Sequence, residues 1–408
     1  MHKFLPHHQG GVEVYTNDLA RALAKSHALL IYAWEGYRPS FQEVQSQYLG
    51  VPVKRIYTPQ PKSPWGVFLA NFSNRSVEDS FAHTLDLFQP DVVHFQHLMN
   101  LSSRMVEMAK ARRIPVVVSL HDYWYICGNA QFLRPDATLC RSHHSWDCVG
   151  CASARIGMWG LKWIAPFLGL LFVYRDQLLR KALEMADGLI VSSRFLKSRY
   201  MSRGFPEGKI FLTEYGLDLE RLLRGYRKRD APHLRFGYIG SLCWQKGVHI
   251  LLEAFAGLGE RAELNVFGDP TIFPDYSSKL EQLSSKGVRF WGRIDNQKMG
   301  EILSLIDLLV VPSLWFEGSP LVIQAAYATR IPILASRVGS LIEKVDDGVS
   351  GFLFELGDRA DLRSKMLSLL NNRGVVDEMA KRLPEPKAIA YHAQELETLY
   401  QSLLGGTE

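Results

Sequence analysis

The sequence is poor in the features that mark several protein classes. Cysteine accounts for only five of the 408 residues, too few for a secreted disulfide scaffold. No block of five or six like charges occurs, and Lys plus Arg exceed Asp plus Glu only by 47 to 42. A dedicated nucleic-acid-binding protein clusters its basic residues more strongly, so we expect no nucleic-acid partner. An attraction to anionic substrates or to a membrane surface remains open.

Long apolar stretches are also scarce, and the N-terminus carries none. Residues 1–9 lack the apolar core of a signal peptide, so we expect a cytoplasmic protein. The mean hydropathy of −0.06 argues against a polytopic membrane protein. Hydrophobic residues at 47% and charged residues at 22% match globular proteins and exclude wholesale disorder. At about 100–200 residues per domain, this length predicts two or three domains.

What the sequence does contain is a regular alternation of short apolar, β-branched runs with helical stretches. These runs predict strands at 28–33, 91–95, 114–120 and 188–192, then at 234–240, 262–267, 288–292, 307–311 and 331–335. Near-continuous apolar strands separated by helices are typical of parallel sheets covered on both faces. The polar segment 224–233 separates the two sets. The sequence therefore predicts an α/β protein of two facing Rossmann-like halves, whose ligands bind in the cleft beyond the C-terminal strand ends.

The usual opening of the first half is missing. A doubly wound domain begins with a strand, which a Gly-rich turn and a helix follow. Here Gly10-Gly11 and the helical stretch 12–25 follow only nine residues. The first strand is therefore missing or vestigial. We expect the native start to lie upstream of Met1, and the alternative is a first sheet without its central strand.

A strand–turn–helix that suits an anion lies at 312–325. Gly318, Ser319 and Pro320 follow a predicted strand and lead into a helix. Free backbone N–H groups at a helix start, together with the helix dipole, favour a negatively charged ligand. Glu317 at the mouth of this turn would accept hydrogen bonds from sugar hydroxyls. The alternative for Glu317 is a solvated carboxylate beside a helix cap.

A second turn, at 240–247, closes the first strand of the second half. Lys246 on this turn can neutralise a diphosphate as a point charge. This turn and the segments 10–11, 120–122 and 312–320 occur in the same order in a known family. In these features the chain resembles the retaining family-four glycosyltransferases of GT-B fold, which take nucleotide sugars as donors. The resemblance covers almost the whole chain. It depends on the order and spacing of the pieces, because no single one is decisive.

This resemblance implies roles for individual residues. As catalytic residues, His121 would hydrogen-bond the donor sugar or its phosphate, Lys246 would hold the diphosphate, and Glu317 would hold the sugar hydroxyls. The donor-binding set would comprise Gly10, Gly11, Gly240, Ser241, Gly318, Ser319, Pro320, Leu321 and Val322. The reaction would retain the anomeric configuration, because the acceptor attacks on the leaving-group face. Lys246 and helix-terminus amides would stabilise the leaving phosphate without a catalytic metal or a separate base.

The resemblance also implies a domain organisation and partners. Residues 1–228 would form the acceptor-side Rossmann-like domain, which includes a Cys-rich insert at 127–151. Residues 229–385 would bind the nucleotide sugar, and 386–408 would form a helix that packs back on the first domain. The partners would be a nucleotide-sugar donor and a glycan or lipid-linked acceptor, as in polysaccharide biosynthesis.

Two positions depart from the family's pattern. Ala325 stands where members usually carry a second glutamate that binds the nucleotide ribose, and Ser241 stands where many place an arginine. The loss of such a ribose hydrogen bond typically costs ~1–3 kcal/mol. A second function therefore stays open: a catalytically weakened or inactive relative that binds sugar nucleotides or scaffolds a membrane glycan-assembly complex. A sugar-nucleotide epimerase of the same fold is less suited, because the sequence offers no matching acid and base carboxylates.

Four of the five cysteines are close together in the sequence. Cys127, Cys140, Cys148 and Cys151 follow the pattern C-x12-C-x7-C-x2-C. The C-x2-C end is a good zinc chelate, and four thiolates would complete a structural zinc site without an open catalytic position. Two disulfides, which a reducing cytoplasm disfavours, and unlinked thiols are the alternatives.

An apolar stretch lies between Ile156 and Tyr174, where Lys162 is the only charged residue. Its length reaches that of a spanning helix, but glycines and Pro166 interrupt it. Basic residues within 155–181 suit an interfacial helix on anionic lipid, which would place the protein peripherally at the inner face of the membrane. A helix packed against its own domain is the alternative.

Overall fold

The computed structural model describes residues 1–140, 148–151, 165–228 and 231–405. The chain divides into two compact units. The first unit contains Met1–Gly216 and Ile389–Glu408, and the second unit contains Leu217–Ala388.

Strands and helices alternate along the chain. The strands are β1 Ile31–Tyr37, β2 Gln42–Tyr48, β3 Val51–Thr58, β4 Val93–Phe95, β5 Val116–Leu120, β6 Gly188–Val191, β7 Ile210–Leu212, β8 Leu234–Ile239, β9 Ala262–Phe267, β10 Val288–Gly292, β11 Leu308–Val311, β12 Ile333–Ser336 and β13 Gly351–Phe354. The α-helices are α1 Gly11–Leu23, α2 Pro64–Ala70, α3 Arg75–Phe88, α4 Arg104–Ala111, α5 Ala165–Met185, α6 Arg194–Met201, α7 Leu219–Gly225, α8 Val248–Phe255, α9 Pro274–Gln282, α10 Met299–Leu303, α11 Leu321–Ala328, α12 Leu341–Lys344, α13 Arg359–Asn371, α14 Gly374–Arg382 and α15 Ile389–Gly405.

The first unit contains two separate sheets within the described residues. One has the order β4-β5-β6-β7 and is parallel throughout. The other has the order β1-β3-β2, in which β3 is parallel to β1 and antiparallel to β2. All residues of β5 and β6 are buried, as expected for strands covered on both faces.

The last helix of the chain belongs to the first unit. His392 on α15 is fully buried, and its Nε2 lies 2.8 Å from the hydroxyl of Tyr15 on α1. Leu396 and Leu399 follow on the same helix at a spacing that places them on the same face, and both are buried. Helix α15 therefore completes the core beside α1.

The second unit is built on one parallel sheet with the order β10-β9-β8-β11-β12-β13. Buried side chains such as Phe236, Leu264 and Phe354 form a continuous core around it. The strand order reverses between β8 and β11, because the chain moves outward from β8 in one direction and then returns to build the other side. A doubly wound sheet binds its ligands outside the carboxyl ends of the strands at such a switch point.

The first helix of the second unit packs closely against α10. A Cβ on Gly300 would lie only 2.1 Å from the carbonyl oxygen of Leu222 on α7, so the contact requires glycine. Residues 217–228, which the sequence analysis assigned to the first domain, therefore lie with the second unit. The α/β class with parallel sheets is confirmed, and every strand predicted from an apolar run overlaps an observed strand.

Candidate functional site

Two loops come together at the switch point of the second unit. The first follows β8 and contains a 3-10 turn, Trp244–Lys246, before α8 begins at Val248. The second follows β11 and leads into α11. The backbone N–H of Leu314 in the second loop donates a hydrogen bond of 2.8 Å to the carbonyl oxygen of Gln245 in the first. The positions of Lys246 and Glu317 are therefore set by a direct backbone contact.

Gly247 makes this close approach sterically feasible. Its φ of +70° is left-handed, and a Cβ there would lie 1.9 Å from the carbonyl oxygen of Pro312. A side chain would therefore clash with rigid backbone and would also be strained in this conformation. Only glycine allows the two loops to lie this close.

Lys246 and Glu317 form an ion pair across the two loops. The Lys246 Nζ lies 2.7 Å from the Oε1 of Glu317, a residue that is only 5% exposed. The same oxygen accepts hydrogen bonds from Ser313 Oγ at 2.5 Å and Trp315 Nε1 at 2.9 Å. The ammonium also lies 5.5 Å from the ring centre of Trp315. The carboxylate is thus held by three donors, and the cation is fixed at the edge of the sheet.

Sequence reasoning gave Lys246 and Glu317 separate ligands, and the structure brings them into direct contact. A phosphate that binds Lys246 would share the ammonium with this carboxylate. Ser313 and Trp315 were not predicted as site residues. Only their position in the sequence could have identified them, because both lie within four residues of Glu317 on the loop that follows a buried strand.

The start of α11 is suited to bind an anion. Pro320 is the N-cap residue, and its side chain has no hydrogen-bond acceptor. The N–H groups of Leu321 and Val322 in the first turn therefore receive no hydrogen bond from an N-cap side chain. Ser319 places a buried Oγ at this helix end, and that oxygen has no hydrogen-bond partner among the described residues. Gly318 is buried beside Glu317. Backbone amides without a side-chain cap and an unpaired hydroxyl at a helix N-terminus can together hold a phosphate.

The remaining predicted donor residues of the second unit lie at the end of β8. The N–H of Gly240 donates to the carbonyl oxygen of Phe267 at 3.0 Å, which ties the ends of β8 and β9 together. Ser241 is exposed, and its carbonyl oxygen accepts from the Tyr238 hydroxyl at 2.7 Å. Ala325 is 6% exposed on α11 and has no polar side-chain atom for a ribose.

In the first unit, Gly10 and Gly11 lie at the start of α1. The carboxylate of Glu13 folds back over this end, and its Oε2 would lie 2.4 Å from a Cβ on Gly10. Burial raises the pKa of Glu13, whereas hydrogen bonds from the backbone N–H groups of Gly10 and Glu13 lower it. Of the two glycines that the sequence analysis assigned to the donor, Gly10 thus donates its amide to a carboxylate of the chain itself.

His121 lies at the end of β5 and is held on both ring nitrogens. Its Nε2 lies 2.9 Å from Gln96 Oε1, and its Nδ1 lies 2.6 Å from the Tyr215 hydroxyl. Since the amide oxygen only accepts, Nε2 carries the proton and Nδ1 accepts from the tyrosine. Burial lowers the pKa of His121 to about 3, so the ring is neutral. Gln96 and Tyr215 were not predicted from the sequence.

The four clustered cysteines are unlinked. Cys127 is buried, and its Sγ donates to Asn129 Oδ1 at 3.1 Å. Within 1–140, 148–151, 165–228 and 231–405, no group of three or more His, Cys, Asp or Glu side chains is placed to hold one metal ion. The described positions thus do not form a finished zinc site, and the structural zinc stays a prediction.

The apolar stretch at 156–174 is described only from residue 165, where α5 begins. Phe172 and Arg175 on this helix are buried, and Arg175 donates hydrogen bonds to the Trp124 carbonyl and to Asp176. Leu170 is exposed. Arg175 therefore points into the unit and does not face lipid. In the described part of the chain, no helix combines the length and the apolar character that crossing a membrane requires.

Two family models match the chain. The model described as Glycosyltransferase Family 4 matches residues 9–221, and the model described as Glycosyl transferases group 1 matches residues 233–372. The first match alone covers more than half of the chain, and the second contains both loops of the switch point.

Individual proteins are similar over different lengths. The GDP-mannose-dependent alpha-mannosyltransferase of Corynebacterium glutamicum is 24% identical over 361 residues, which covers 87% of this chain and 75% of that protein. The amylovoran biosynthesis glycosyltransferase AmsK of Erwinia amylovora is 26% identical over 196 residues, 44% of this chain and about half (47%) of that protein. The crystal structure of Anabaena Alr3699/HepE in complex with UDP and glucose has the same fold, with a TM-score of 0.66 at 18% identity over 98% of this chain and 99% of that one.

Proposed function

This chain belongs to the group 1, family 4 glycosyltransferases of GT-B fold, and on that premise we propose how it acts. It transfers a sugar from a nucleotide-sugar donor to a glycan or lipid-linked acceptor, with retention of configuration and without a catalytic metal. The donor diphosphate binds at the switch point of the second unit, between Lys246 and the start of α11.

The Lys246–Glu317 pair is the observation that carries this proposal. Departure of a nucleoside diphosphate leaves an oxocarbenium-like sugar, so the enzyme must stabilise negative charge on the leaving phosphate. The ammonium of Lys246 and the N–H groups of Leu321 and Val322 supply positive potential at one edge of one sheet. Glu317 then accepts hydrogen bonds from the sugar hydroxyls while its other donors keep it in place.

Retention fits the same set of residues. On the leaving-group face, the departing phosphate itself can take the proton of the acceptor hydroxyl, so no separate base is needed. We assign His121 to a hydrogen bond with the donor sugar or its phosphate, which the neutral ring donates through Nε2 when this N–H exchanges Gln96 for the donor. The names of the relatives support a nucleotide-sugar donor, since one is GDP-mannose-dependent and one structure contains UDP and glucose.

Release of nucleoside diphosphate from a panel of nucleotide sugars tests the activity. A donor that binds the folded chain raises its unfolding temperature, which identifies the sugar nucleotide before turnover is measured. Lys246→Ala and Glu317→Gln should lower the rate of release by about 10²–10³-fold, the usual cost of one charge-stabilising contact. Lys286→Ala is the matched control, because Lys286 forms an exposed pair with Glu260 in the same unit.

The finer parts of the proposal have their own measurements. Release that is unchanged after chelation with EDTA supports a metal-independent reaction, and loss of release that Mg²⁺ or Mn²⁺ restores contradicts it. The anomeric configuration of the transferred sugar, read by NMR, decides retention. Retained activity in Lys246→Ala or Glu317→Gln would refute the roles given to these residues.

A weakened or inactive relative is the second candidate, and Ala325 and Ser241 favour it. Such a protein would bind a sugar nucleotide at the same loops without releasing nucleoside diphosphate. Binding in the thermal assay with no release across the panel therefore supports this candidate and rejects the enzyme. Under it, Ala325→Glu would tighten binding without restoring turnover.

A lipid-linked acceptor would require the protein to bind at a membrane surface, whereas a free glycan acceptor would not. We propose a peripheral contact through the segment 155–181, which suits a lipid-linked acceptor. Sedimentation with vesicles of anionic lipid tests the contact, and a Trp159/Trp163 double substitution should weaken it. Equal vesicle binding by the parent and the double variant would contradict a membrane contact through this segment.

A further inference from the structure

Two tyrosine side chains pack against His121 inside the first unit. Tyr215, which follows β7, places its hydroxyl 2.6 Å from Nδ1 of His121, and the two ring centres are 5.3 Å apart. The ring of Tyr15 on α1 approaches His121 edge-on, with 5.6 Å between the ring centres. All three residues are buried. His121 is therefore held by two aromatic rings, and the Tyr215 hydroxyl supplies a polar contact to it.

The polar neighbours of His121 determine which ring nitrogen carries the proton. Nε2 lies 2.9 Å from the amide oxygen of Gln96, and the amide nitrogen of Gln96 lies 3.3 and 3.4 Å from the two ring nitrogens of His94. The oxygen of Gln96 thus faces His121, and because an amide oxygen only accepts, Nε2 is the donor. Nδ1 then accepts from Tyr215. Burial raises the pKa of Tyr215, so its hydroxyl keeps the proton that it donates.

Tyr215 has little freedom to leave this position. Its ring lies against that of Tyr15, with 4.3 Å between the ring centres. The Tyr15 hydroxyl lies 2.8 Å from Nε2 of His392, a fully buried residue of α15. The other ring nitrogen of His392 lies 3.3 Å from Oγ1 of Thr213, two residues before Tyr215. One buried histidine therefore contacts both the ring that packs on Tyr215 and the segment that carries it.

The proton on Nε2 matters for the role proposed for His121. A neutral imidazole has one N–H group, and its other nitrogen is an acceptor. With the proton on Nε2, His121 can donate to an oxygen of the donor sugar or phosphate. With the proton on Nδ1, the lone pair of Nε2 would face that oxygen and repel it. When the donor takes the place of Gln96, the contact with Tyr215 still distinguishes the two tautomers.

We propose that Tyr215 is a positioning residue for His121. Its hydroxyl donates to Nδ1 and so keeps the proton on Nε2, the nitrogen that meets the donor. A phenol donates more readily than it accepts, because its oxygen lone pair is conjugated with the ring. Tyr215 acts through His121 and does not itself touch the donor. The role of His121 rests on the proposed function, but the site of its proton is measured without substrate, so the two can fail separately.

The site of the proton is read from long-range nitrogen–proton correlation spectra of the full chain, labelled at histidine. The His121 signals are identified by their loss in His121→Gln. In Gln96→Leu, which removes the acceptor at Nε2, we expect the proton to stay on Nε2, because Tyr215 still donates to Nδ1. In the double variant Gln96→Leu/Tyr215→Phe neither contact remains, so a fraction with the proton on Nδ1 should appear.

Two outcomes of these spectra overturn the proposal. A proton on Nδ1 in the parent or in Gln96→Leu would show that Tyr215 accepts from the ring. A single tautomer with the proton on Nε2 in the double variant would show that a group other than Tyr215 fixes the proton. The parent spectrum needs no substitution, so the first of these outcomes can be observed even where a variant does not fold.

Release of nucleoside diphosphate tests whether the site of the proton matters for activity. We expect Tyr215→Phe to lower the rate at saturating donor by about 10-fold, the order of one lost hydrogen bond. In a His121→Ala background the same change should lower it by less than about 2-fold, because a residue that acts through His121 has no effect without it. Tyr32→Phe is the matched control. It removes a buried hydroxyl of the same unit, 3.0 Å from Ser80 Oγ, and should leave the rate and the His121 signals unchanged.

The kinetic outcomes separate this proposal from the proposed function. Equal losses from Tyr215→Phe in the parent and in His121→Ala would overturn the proposal, since Tyr215 would then act independently of His121. An unchanged rate in Tyr215→Phe would also overturn it. If the parent releases no nucleoside diphosphate from any nucleotide sugar, the proposed enzyme fails. The spectra of Gln96→Leu and of the double variant then decide by themselves whether Tyr215 sets the proton of His121.

Discussion

Gly247 decides how close the two loops of the switch point lie. Its backbone is left-handed, and the space where a Cβ would lie is filled by the Pro312 carbonyl. The Leu314–Gln245 hydrogen bond and the Lys246–Glu317 pair both depend on this approach. One residue without a side chain therefore supports the geometry of two charged ones.

Gly247→Ala should destabilise the second unit by about 3–5 kcal/mol, because it combines φ strain with a clash against backbone. Gly348→Ala is the matched control. Gly348 has a φ of +83° with nothing within 4 Å of its missing Cβ, so the strain alone should cost about 1–2 kcal/mol. Urea unfolding of both variants measures the difference. Equal losses of stability would show that the contact with Pro312 relaxes freely.

Two buried histidines make the first unit sensitive to acid. Burial lowers the pKa of both His94 and His121 to about 3. His94 bonds Tyr400 through Nδ1 at 2.7 Å and Ser119 through Nε2 at 2.8 Å. The unfolded chain takes up protons near pH 6.5, and the folded chain does not. Stability from these residues is therefore complete above about pH 6.5 and falls as the pH drops below it.

His94→Gln should remove part of this pH dependence. On going from pH 7.5 to pH 5.5, each neutral buried histidine lowers the free energy of unfolding by about 1.4 kcal/mol, because one pKa unit corresponds to 1.36 kcal/mol. The variant should be less stable than the parent at pH 7.5 but lose about 1.4 kcal/mol less on acidification. His27→Gln, at an exposed position, is the control. Unfolding free energies at the two pH values test this, and parallel losses in variant and parent would contradict it.

At the scale of elements, apolar runs located every strand of the two main parallel sheets except β7 and β13. β2, β3, β7 and β13 were not predicted. The β2–β3 hairpin has a mixed polar pattern, and its signal was the two-residue turn Leu49-Gly50, where both φ values are positive. Two of the three residues of β7 are exposed, and β13 (GFLF) contains no β-branched residue, so neither strand shows the buried β-branched run on which the prediction relied.

The sequence predicted where the residues of the candidate site lie in the fold, but it did not predict which of them contact one another. Lys246, Glu317 and the start of α11 could be placed because they follow buried strands, and parallel strands end at one edge. That Lys246 touches Glu317 depends on the Gly247 approach, and that His121 is neutral depends on its burial beside Gln96 and Tyr215. Such contacts join residues far apart in the chain, which no local pattern reports.

The segment 127–151 contains the four cysteines that were predicted to bind zinc. An antiparallel bridge between Leu133 and Leu139 lies between Cys127 and Cys140, and Cys148 and Cys151 are one helical turn apart. A C-x2-C pair such as Cys148 and Cys151 is typical of structural zinc sites, although the four thiols as described are not grouped to share one ion.

We expect purified protein to contain about one zinc per chain, because four thiolates would satisfy the ion fully. Metal analysis measures the content, and thiol titration with and without a chelator shows whether the thiols become reactive when zinc is removed. A Cys243→Ser variant is the control, since Cys243 lies in the second unit. Less than ~0.2 equivalents of zinc would refute the site, and thiols that stay unreactive in the unreduced protein even after the chelator is added would indicate disulfides.

At the scale of the whole molecule, the two units differ in how the chain builds them. The second unit is continuous, whereas the first needs both ends of the chain. Helix α15 contributes His392 to Tyr15, Tyr400 to His94, and Glu395 to Thr213 at 2.7 Å. Loss of the last helix should therefore affect the first unit and spare the second.

Leu396→Ala should lower the unfolding temperature of the first unit alone. Leu396 is 1% exposed, and truncation of a buried leucine typically costs about 2–5 kcal/mol. Gln394→Ala on the exposed face of the same helix is the matched control and should change stability by less than about 0.5 kcal/mol. Scanning calorimetry should resolve two transitions, and a bound nucleoside diphosphate should raise only the one that Leu396→Ala leaves unchanged. If Leu396→Ala lowers the temperatures of both transitions equally, the two units unfold as one. If the diphosphate raises the transition that Leu396→Ala lowers, the donor binds in the first unit.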